Sequence, residues 1–294
     1  MRTSEKDYRR LILPETYNYI ACFLTLSCNI GCPYCINRFG SERRFTRSQM
    51  RGEQWVRALN SLVNLRDLPV TLQGGEPSLH PDFLYIINHI ERRIPIDILT
   101  NLTFDVDAFM RAVDPARLRR EAPYPSIRAS YHPGVMDLDE LVLKVSRMAR
   151  AGFSIGVFCV DHPGSREEIA AAAQKCSAAG IDFRTKEFLG YHNGILYGTY
   201  RYPHAAGASS YKRCRCLTSE LLIGPGGSVF RCHRDLYANT GALGHILDED
   251  FKIRPAFIPC SHYGDCNPCD VKIKTNRHQV YGHTSVEIVD INDP

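Results

Sequence analysis

Three cysteines crowd one short stretch, C-N-I-G-C-P-Y-C, as Cys28, Cys32 and Cys35. Three thiolates leave a metal centre one ligand short: an open catalytic zinc, or a cubane iron–sulfur cluster with one iron free for another ligand. No histidine lies within 40 residues on either side to complete a zinc knuckle. The spacing therefore favours iron–sulfur. A second constellation, L-Q-G-G-E-P at 72–77, places Gly74, Gly75 and Glu76 together. Glycines let backbone approach a ligand closely, and a carboxylate can receive an ammonium group. A third set, Cys214, Cys216, Cys232, Cys260, Cys266 and Cys269, includes C-x-C and C-x2-C pairs that suit iron–sulfur or structural zinc.

The elements that must position these groups alternate. Short β-like runs at 19–26, 68–73, 94–100, 126–131, 153–160 and 181–188 read as strands. Helical periods fall between them, over 48–63, over 81–93, after Asp137, and after Ser165, where Ser165 and Glu168 form an S-x-x-E capping box. A connection rich in Pro and Arg joins the third and fourth strands. Six strands alternating with helices require a parallel sheet with helical crossovers, whose chemistry sits at the C-terminal strand ends. The expected class is α/β, a partial (β/α)6 barrel over residues 1–190. Residues 191–213 read as a linker or active-site loop, 214–275 as a small cysteine-rich unit with a hairpin turning at P-G-G, and 276–294 as a polar tail.

The chain has 294 residues, a formal charge of +4 and twelve cysteines. That charge is too small to argue for nucleic acid. No apolar run approaches the roughly 18 residues of a membrane span, and the N-terminus lacks a secretory signal. Twelve cysteines without such a signal imply a reducing, cytoplasmic setting, where clustered thiols hold metal. Cys22, Cys159 and Cys176 stand alone and read as small buried hydrophobes.

Together, C-x3-C-x2-C and G-G-E-P, one βα unit apart, make the sequence resemble the radical S-adenosylmethionine (radical SAM) superfamily over about residues 15–190. The resemblance implies that Cys28, Cys32 and Cys35 hold a 4Fe–4S cluster whose open iron binds SAM. It implies that Tyr34 occupies the position whose backbone touches adenine, and that Gly74, Gly75 and Glu76 form the segment receiving the methionyl ammonium. Thr100 and Asn101 match a strand-end T-N pair, with Leu102 where glycine is usual. Ser130 matches a strand-end serine near the ribose or methionyl group. The implied chemistry is reductive cleavage of SAM to a 5′-deoxyadenosyl radical that removes a substrate hydrogen, fed by an electron donor such as flavodoxin or ferredoxin.

The C-terminal cysteines, with Gly227 and Cys232 as G-x4-C, resemble the SPASM or shortened twitch extension, which implies an auxiliary cluster. Six cysteines are too few for two fully cysteine-ligated cubanes, so one auxiliary 4Fe–4S cluster is expected. Its expected ligands are Cys216, Cys232, Cys266 and Cys269, with Cys260 as the rival and Cys214 taken to face away from Cys216. An auxiliary cluster suits an oxidoreductase. With 27 residues before Cys28, a fused leader-binding domain is not expected, and a small-molecule substrate is expected over a peptide. A local excess of cations over 201–235 makes that substrate anionic, or else offsets the charge of a thiolate-bound cluster. The alternatives are a peptide maturase forming thioether or carbon–carbon crosslinks, and a glycyl-radical activase. Further polar candidates near the substrate are His132, Asp161, Lys186, Glu187, Tyr191, His192 and Tyr197.

Overall fold

The computed structural model describes residues 9–36, 48–207, 210–275 and 281–292. Six parallel strands form its centre: β1 (Tyr19–Thr25), β2 (Val70–Gly74), β3 (Ile96–Thr100), β4 (Ile127–Tyr131), β5 (Ile155–Asp161) and β6 (Phe183–Glu187), each paired with the next. Five helices cross between them: α1 (Gly52–Asn60), α2 (Phe83–His89), α3 (Val106–Ala112), α4 (Leu138–Arg150) and α5 (Arg166–Ala178). This is the expected α/β partial barrel. Alternation decides the faces. On β1, Ile20, Cys22 and Leu24 pack in the core that holds the helices' Trp55, Leu59 and Ile86, whereas Ala21 and Phe23 pack inward.

The helix ends follow local chemistry. Asp137 caps α4, accepting from the Glu140 N–H at 2.9 Å, and Leu141, Val145 and Met148 bury one face. The capping box at α5 does not form. Ser165 is the N-cap but makes no side-chain bond, because a 3-10 turn, Pro163–Ser165, precedes it. Helix α1 ends at Asn60, short of the expected Val63, because Leu62–Val63 instead pair with Leu11–Ile12. The connection rich in Pro and Arg contains α3, capped by Asp105, which accepts from the N–H groups of Asp107 and Ala108.

The expected boundaries do not divide the sheet. Residues 190–197 form a hairpin of β7 (Gly190–His192) and β8 (Ile195–Tyr197). After β9 (Lys212–Thr218) come β10 (Glu220–Ile223), β11 (Ser228–Phe230) and β12 (Ala242–His245). Strand β10 pairs in parallel with β1, so the P-G-G hairpin extends the barrel to nine strands in the order β12-β11-β10-β1-β2-β3-β4-β5-β6. Helix α6 (His233–Ala238) follows β11, and its Leu236 and Tyr237 pack on the inward face of β1. A separate sheet joins β13 (Ile258–Tyr263), β9 and β14 (Val286–Asn292). The segment expected to be a tail therefore contributes a strand, with 276–280 and 293–294 outside the described residues. The short helix α7 (Pro268–Val271) lies between β13 and β14.

Candidate active site

The cysteine loop leaves the C-terminal end of β1 and is tied to its neighbours. Cys32 is buried, Cys35 half-buried and Cys28 exposed. Asn101, at the end of β3, donates from Nδ2 to Asn29 Oδ1 at 2.9 Å and lies 3.9 Å from Cys28 Sγ. Partial desolvation at the loop, with the nearby Glu76 and Cys35, raises the Cys28 pKa, while the backbone N–H groups of Ile30 and Asn29 pull it back. Those amides are what a thiolate-bound cluster needs, since they offset its charge.

Gly74 and Gly75 are glycines because β2 must touch β1 here. A Cβ on Gly74, at φ +151°, would lie 1.9 Å from Thr25 O, and one on Gly75 2.1 Å from Ser27 O. Two hydrogen bonds fill that contact, Gly75 N–H to Thr25 O and Glu76 N–H to Ser27 O, each 2.9 Å. The glycines therefore seat the cysteine loop on β2 as well as facing the cavity. Glu76 follows the glycine pair and turns back into the protein. It is 1% exposed and its carboxylate is fully engaged within the protein. Oε1 accepts from Ser78 N, Ser78 Oγ and Thr100 Oγ1 at 3.1, 2.7 and 2.8 Å, and Oε2 accepts from Asn101 N at 2.7 Å. Burial raises its pKa against those four donors. Glu76 thus binds the end of β2 to the end of β3. Leu102 adopts φ +57°, the left-handed conformation for which glycine is the usual residue, while its side chain packs in the core.

Tyr34 donates or accepts at His132 Nδ1 over 3.0 Å and stacks on His162, with centroids 5.1 Å apart. Burial pulls the His132 pKa down to about 4. Tyr34 and His132 line a cavity of about 790 Å³ inside the barrel, large enough for a cofactor-sized ligand. Gly74, Gly75, Thr100, Asn101, Ser130, Lys186 and Glu187 line it too, and α6 and the segment around α7 close it with His233, Cys269, Lys272 and Lys274. Below lies a buried charge cluster in which Asp97 accepts from Arg120 at 2.7 Å and from Arg128 at 3.2 Å. Tyr191 is 58% exposed on the β7–β8 hairpin, away from the lining. Asp161, His192 and Tyr197 do not line the cavity either. Sequence reading missed Arg128, His233, Lys272 and Lys274. Arg128 alone carried a signal, as the residue two before Ser130 on one strand face.

The C-terminal thiols regroup. Cys214, Cys216 and Cys260 bring their sulfurs within 4.8 Å of one another, with Cys214 and Cys216 3.7 Å apart. Cys214 does not face away, because residues two apart on a strand share a face. Register adds the third thiol, since Cys214 pairs directly with Cys260 across β9 and β13. Donation from Cys214 and Cys216 holds Cys260 well below the usual thiol range, and Cys216 is raised in turn. The trio is a ready thiolate site for a metal group. Cys266 is near enough to feel Cys260 and Cys214, and Cys232 packs in the same small core, whereas Cys269 faces the cavity. The cations of 201–235 are largely paired: Arg201 with Glu287, Arg215 with Asp290, Arg231 with Asp235 and Arg234 with Asp265. Buried Arg231 also lies in the field of Cys232, Cys260 and Cys216, as the charge-offsetting alternative requires.

The radical SAM superfamily model matches residues 23–194, more than half the chain. The chain belongs to the radical SAM superfamily. As such it uses a 4Fe–4S cluster and SAM, and the C-x3-C-x2-C loop with its charge-offsetting amides fits that cluster. Among curated proteins, the PqqA peptide cyclase of Granulibacter bethesdensis is 24% identical over 177 residues, 57% of this chain and 47% of that protein. The protein named "Probable GTP 3′,8-cyclase" in Methanopyrus kandleri is 33% identical over 78 residues, 26% of this chain and 24% of its own. The chain thus spans about half or less of these relatives. Two solved structures share the fold. Streptococcus suis SuiB bound to precursor peptide SuiA has a TM-score of 0.51 at 13% identity, covering 80% of this chain and 63% of its own. Hexahistidine-tagged anSMEcpe with bound AdoMet has 0.53 at 13%, covering 81% and 79%. PqqA peptide cyclase, SuiB and anSMEcpe are radical SAM enzymes with SPASM-type domains, in keeping with the C-terminal cysteines here. Among the described residues no helix is long and apolar enough to cross a membrane.

Proposed function

We propose that this radical SAM enzyme oxidatively modifies a peptide. The run of similarity to PqqA peptide cyclase, across 177 residues, carries the reading in place of the small-molecule expectation. The cavity supports it: about 790 Å³ accommodates SAM and one or two substrate side chains, not a long chain. Beside it the β7–β8 hairpin exposes Tyr191 and Ile195 at 58% and 59%, a surface against which a peptide could lie. Bound SAM and its cluster supply a 5′-deoxyadenosyl radical. In the proposal, Cys28, Cys32 and Cys35 hold that cluster, Asn101 orients the loop, and Gly74, Gly75, Thr100 and Ser130 line the SAM end of the cavity. Tyr34, Phe188 and His162 shield this end from water. Cys214, Cys216 and Cys260, completed by Cys266 or Cys232, hold the auxiliary cluster. A flavodoxin or ferredoxin delivers the electron.

A second reading, an anionic small molecule, is favoured by the lysines lining the cavity. Anaerobic protein with SAM, dithionite and peptides encoded beside its gene should yield 5′-deoxyadenosine together with a peptide that has lost hydrogen. Stimulation of 5′-deoxyadenosine formation by small anions, with every peptide unchanged, would move the assignment to the second reading.

A further inference from the structure

The cavity carries more positive charge than its own carboxylates balance. Strand alternation turns Arg128 of β4 and Arg184 and Lys186 of β6 inward, and the segment after α7 adds Lys272 and Lys274. Arg128 pairs with Asp97 at 3.2 Å, Arg184 with Asp182 at 2.9 Å and Lys274 with Glu220 at 2.7 Å. Lys186 and Lys272 have no carboxylate partner among the described residues. Even Glu187, next to Lys186 in sequence, accepts instead from Thr199 Oγ1 at 2.7 Å.

The Lys186 ammonium sits 5.5 Å from the centroid of the Phe158 ring, a weak partner for a charge held inside a barrel. Cavity water reaches it, but protein surrounds it. Although Lys186 is open to the solvent of the cavity, the protein around it and repulsion from Arg128, Lys272 and Lys274 pull its pKa down to about 7, with the Cys269 thiol opposing them. Such an excess of like charge is relieved by an anion. The register locates the spot. Ser130 pairs with Phe158 and Phe158 with Arg184, while Lys186 pairs with Val160. Lys186 therefore lies two residues beyond Arg184, toward the rim where the cysteine loop sits. It is two strands across and two residues along from Ser130, a separation of roughly 12 Å at ordinary strand spacing and rise.

We infer that Lys186, aided by Lys272, is a subsite for one oxyanion of the substrate, a carboxylate or a phosphate. Its place across the cavity from β4 turns the rest of the substrate toward the SAM end. This deepens the proposal above and rests on its substrate cavity, though not on the substrate being a peptide. A peptide would present a carboxylate side chain or terminus; the second reading would present a phosphate or a carboxylate.

Competitive acetylation of the SAM-loaded holoenzyme tests this, with Lys252, exposed and outside the cavity, as internal reference. The probes are N-acetyl-L-glutamate and inorganic phosphate, and mass spectrometry reads the labelling of each lysine. A bound oxyanion raises an ammonium pKa by about one unit or more, so Lys186 labelling should fall about tenfold while Lys252 is unchanged. Protection by N-acetyl-L-glutamate alone assigns a carboxylate, by phosphate alone a phosphate, and by both an unselective oxyanion site. Protection by neither, or full protection by SAM before any probe is added, overturns the inference. Because no turnover is read, protection without peptide modification would retire the peptide reading and leave the subsite standing.

Discussion

Replacing Glu76 with Gln separates two roles for this carboxylate. The Gln side chain keeps one carbonyl oxygen for Ser78 and Thr100 but sets an NH2 group against the Asn101 N–H, where 2.7 Å now joins two donors. The change removes a charge-assisted bond, worth about 1.5–3 kcal/mol, and leaves a buried N–H unpaired at about 1–3 kcal/mol. Against this, a neutral amide costs less to bury than a carboxylate whose pKa burial already raises. A net loss of ~2 kcal/mol is reasonable, which lowers the melting temperature of a chain this size by about 3 °C. The assay is thermal unfolding of the cluster-loaded protein without SAM, paired with SAM binding by calorimetry. The melting point should fall before any SAM is present. An unchanged melting point with SAM affinity down about tenfold, as loss of a direct ammonium contact would give, refutes the tie between β2 and β3.

Gly75→Ala should unseat the cysteine loop, because its Cβ would meet Ser27 O at 2.1 Å; iron lost from the protein, and with it 5′-deoxyadenosine, is the readout, and a wild-type iron content would contradict it. Cys214→Ala, Cys216→Ala and Cys260→Ala should each reduce iron from about eight per chain to about four, whereas Cys269→Ala should keep it, and the reverse pattern would restore the ligand set expected from spacing. Zinc is counted alongside, because the 3.7 Å between Cys214 and Cys216 also fits two thiolates on one ion; one zinc with about four irons would rule out an auxiliary iron–sulfur cluster. Stability should fall on acidification from about pH 6.5 toward 4, since His132 takes up a proton in the unfolded chain before it does in the fold, whose value is about 4. The loss is roughly 1–2 kcal/mol at pH 5, and His132→Gln should flatten the pH dependence of the melting point.

The barrel was legible because buried parallel strands show as short apolar runs, as in β1, β2, β3 and β5, while β6, Phe-Arg-Thr-Lys-Glu and largely exposed, could be placed only by its position in the alternation. Helix α3 was hidden because seven residues give barely two turns of period, leaving only the Asp105 cap as a signal. The cysteine loop and glycine pair could be read from spacing, yet spacing could not say that the glycines' nearest obstacle is Thr25 and Ser27. Nor could it say that Glu76 spends its oxygens on Ser78, Thr100 and Asn101. Those are contacts between strand ends, set by tertiary geometry. Cys260 was underrated because its partner, Cys214, lies 46 positions away and meets it only through strand register. The cations of 201–235 looked free because Glu287, Asp290 and Asp265, which neutralise three of them, come from later segments.

Strand β10 lies along β1, with Glu220 to Ile223 matched to Tyr19 to Cys22. A chain cut before residue 214 would therefore expose a bare sheet margin beside the very strand that delivers the cysteine loop. That margin would present a row of unpaired amides and carbonyls above the apolar Ala21 and Phe23, a template for sticking to other chains. The cysteine-rich portion is thus no detachable module. Grafting it elsewhere, or trimming it to simplify the enzyme, should give insoluble protein before it gives an inactive one.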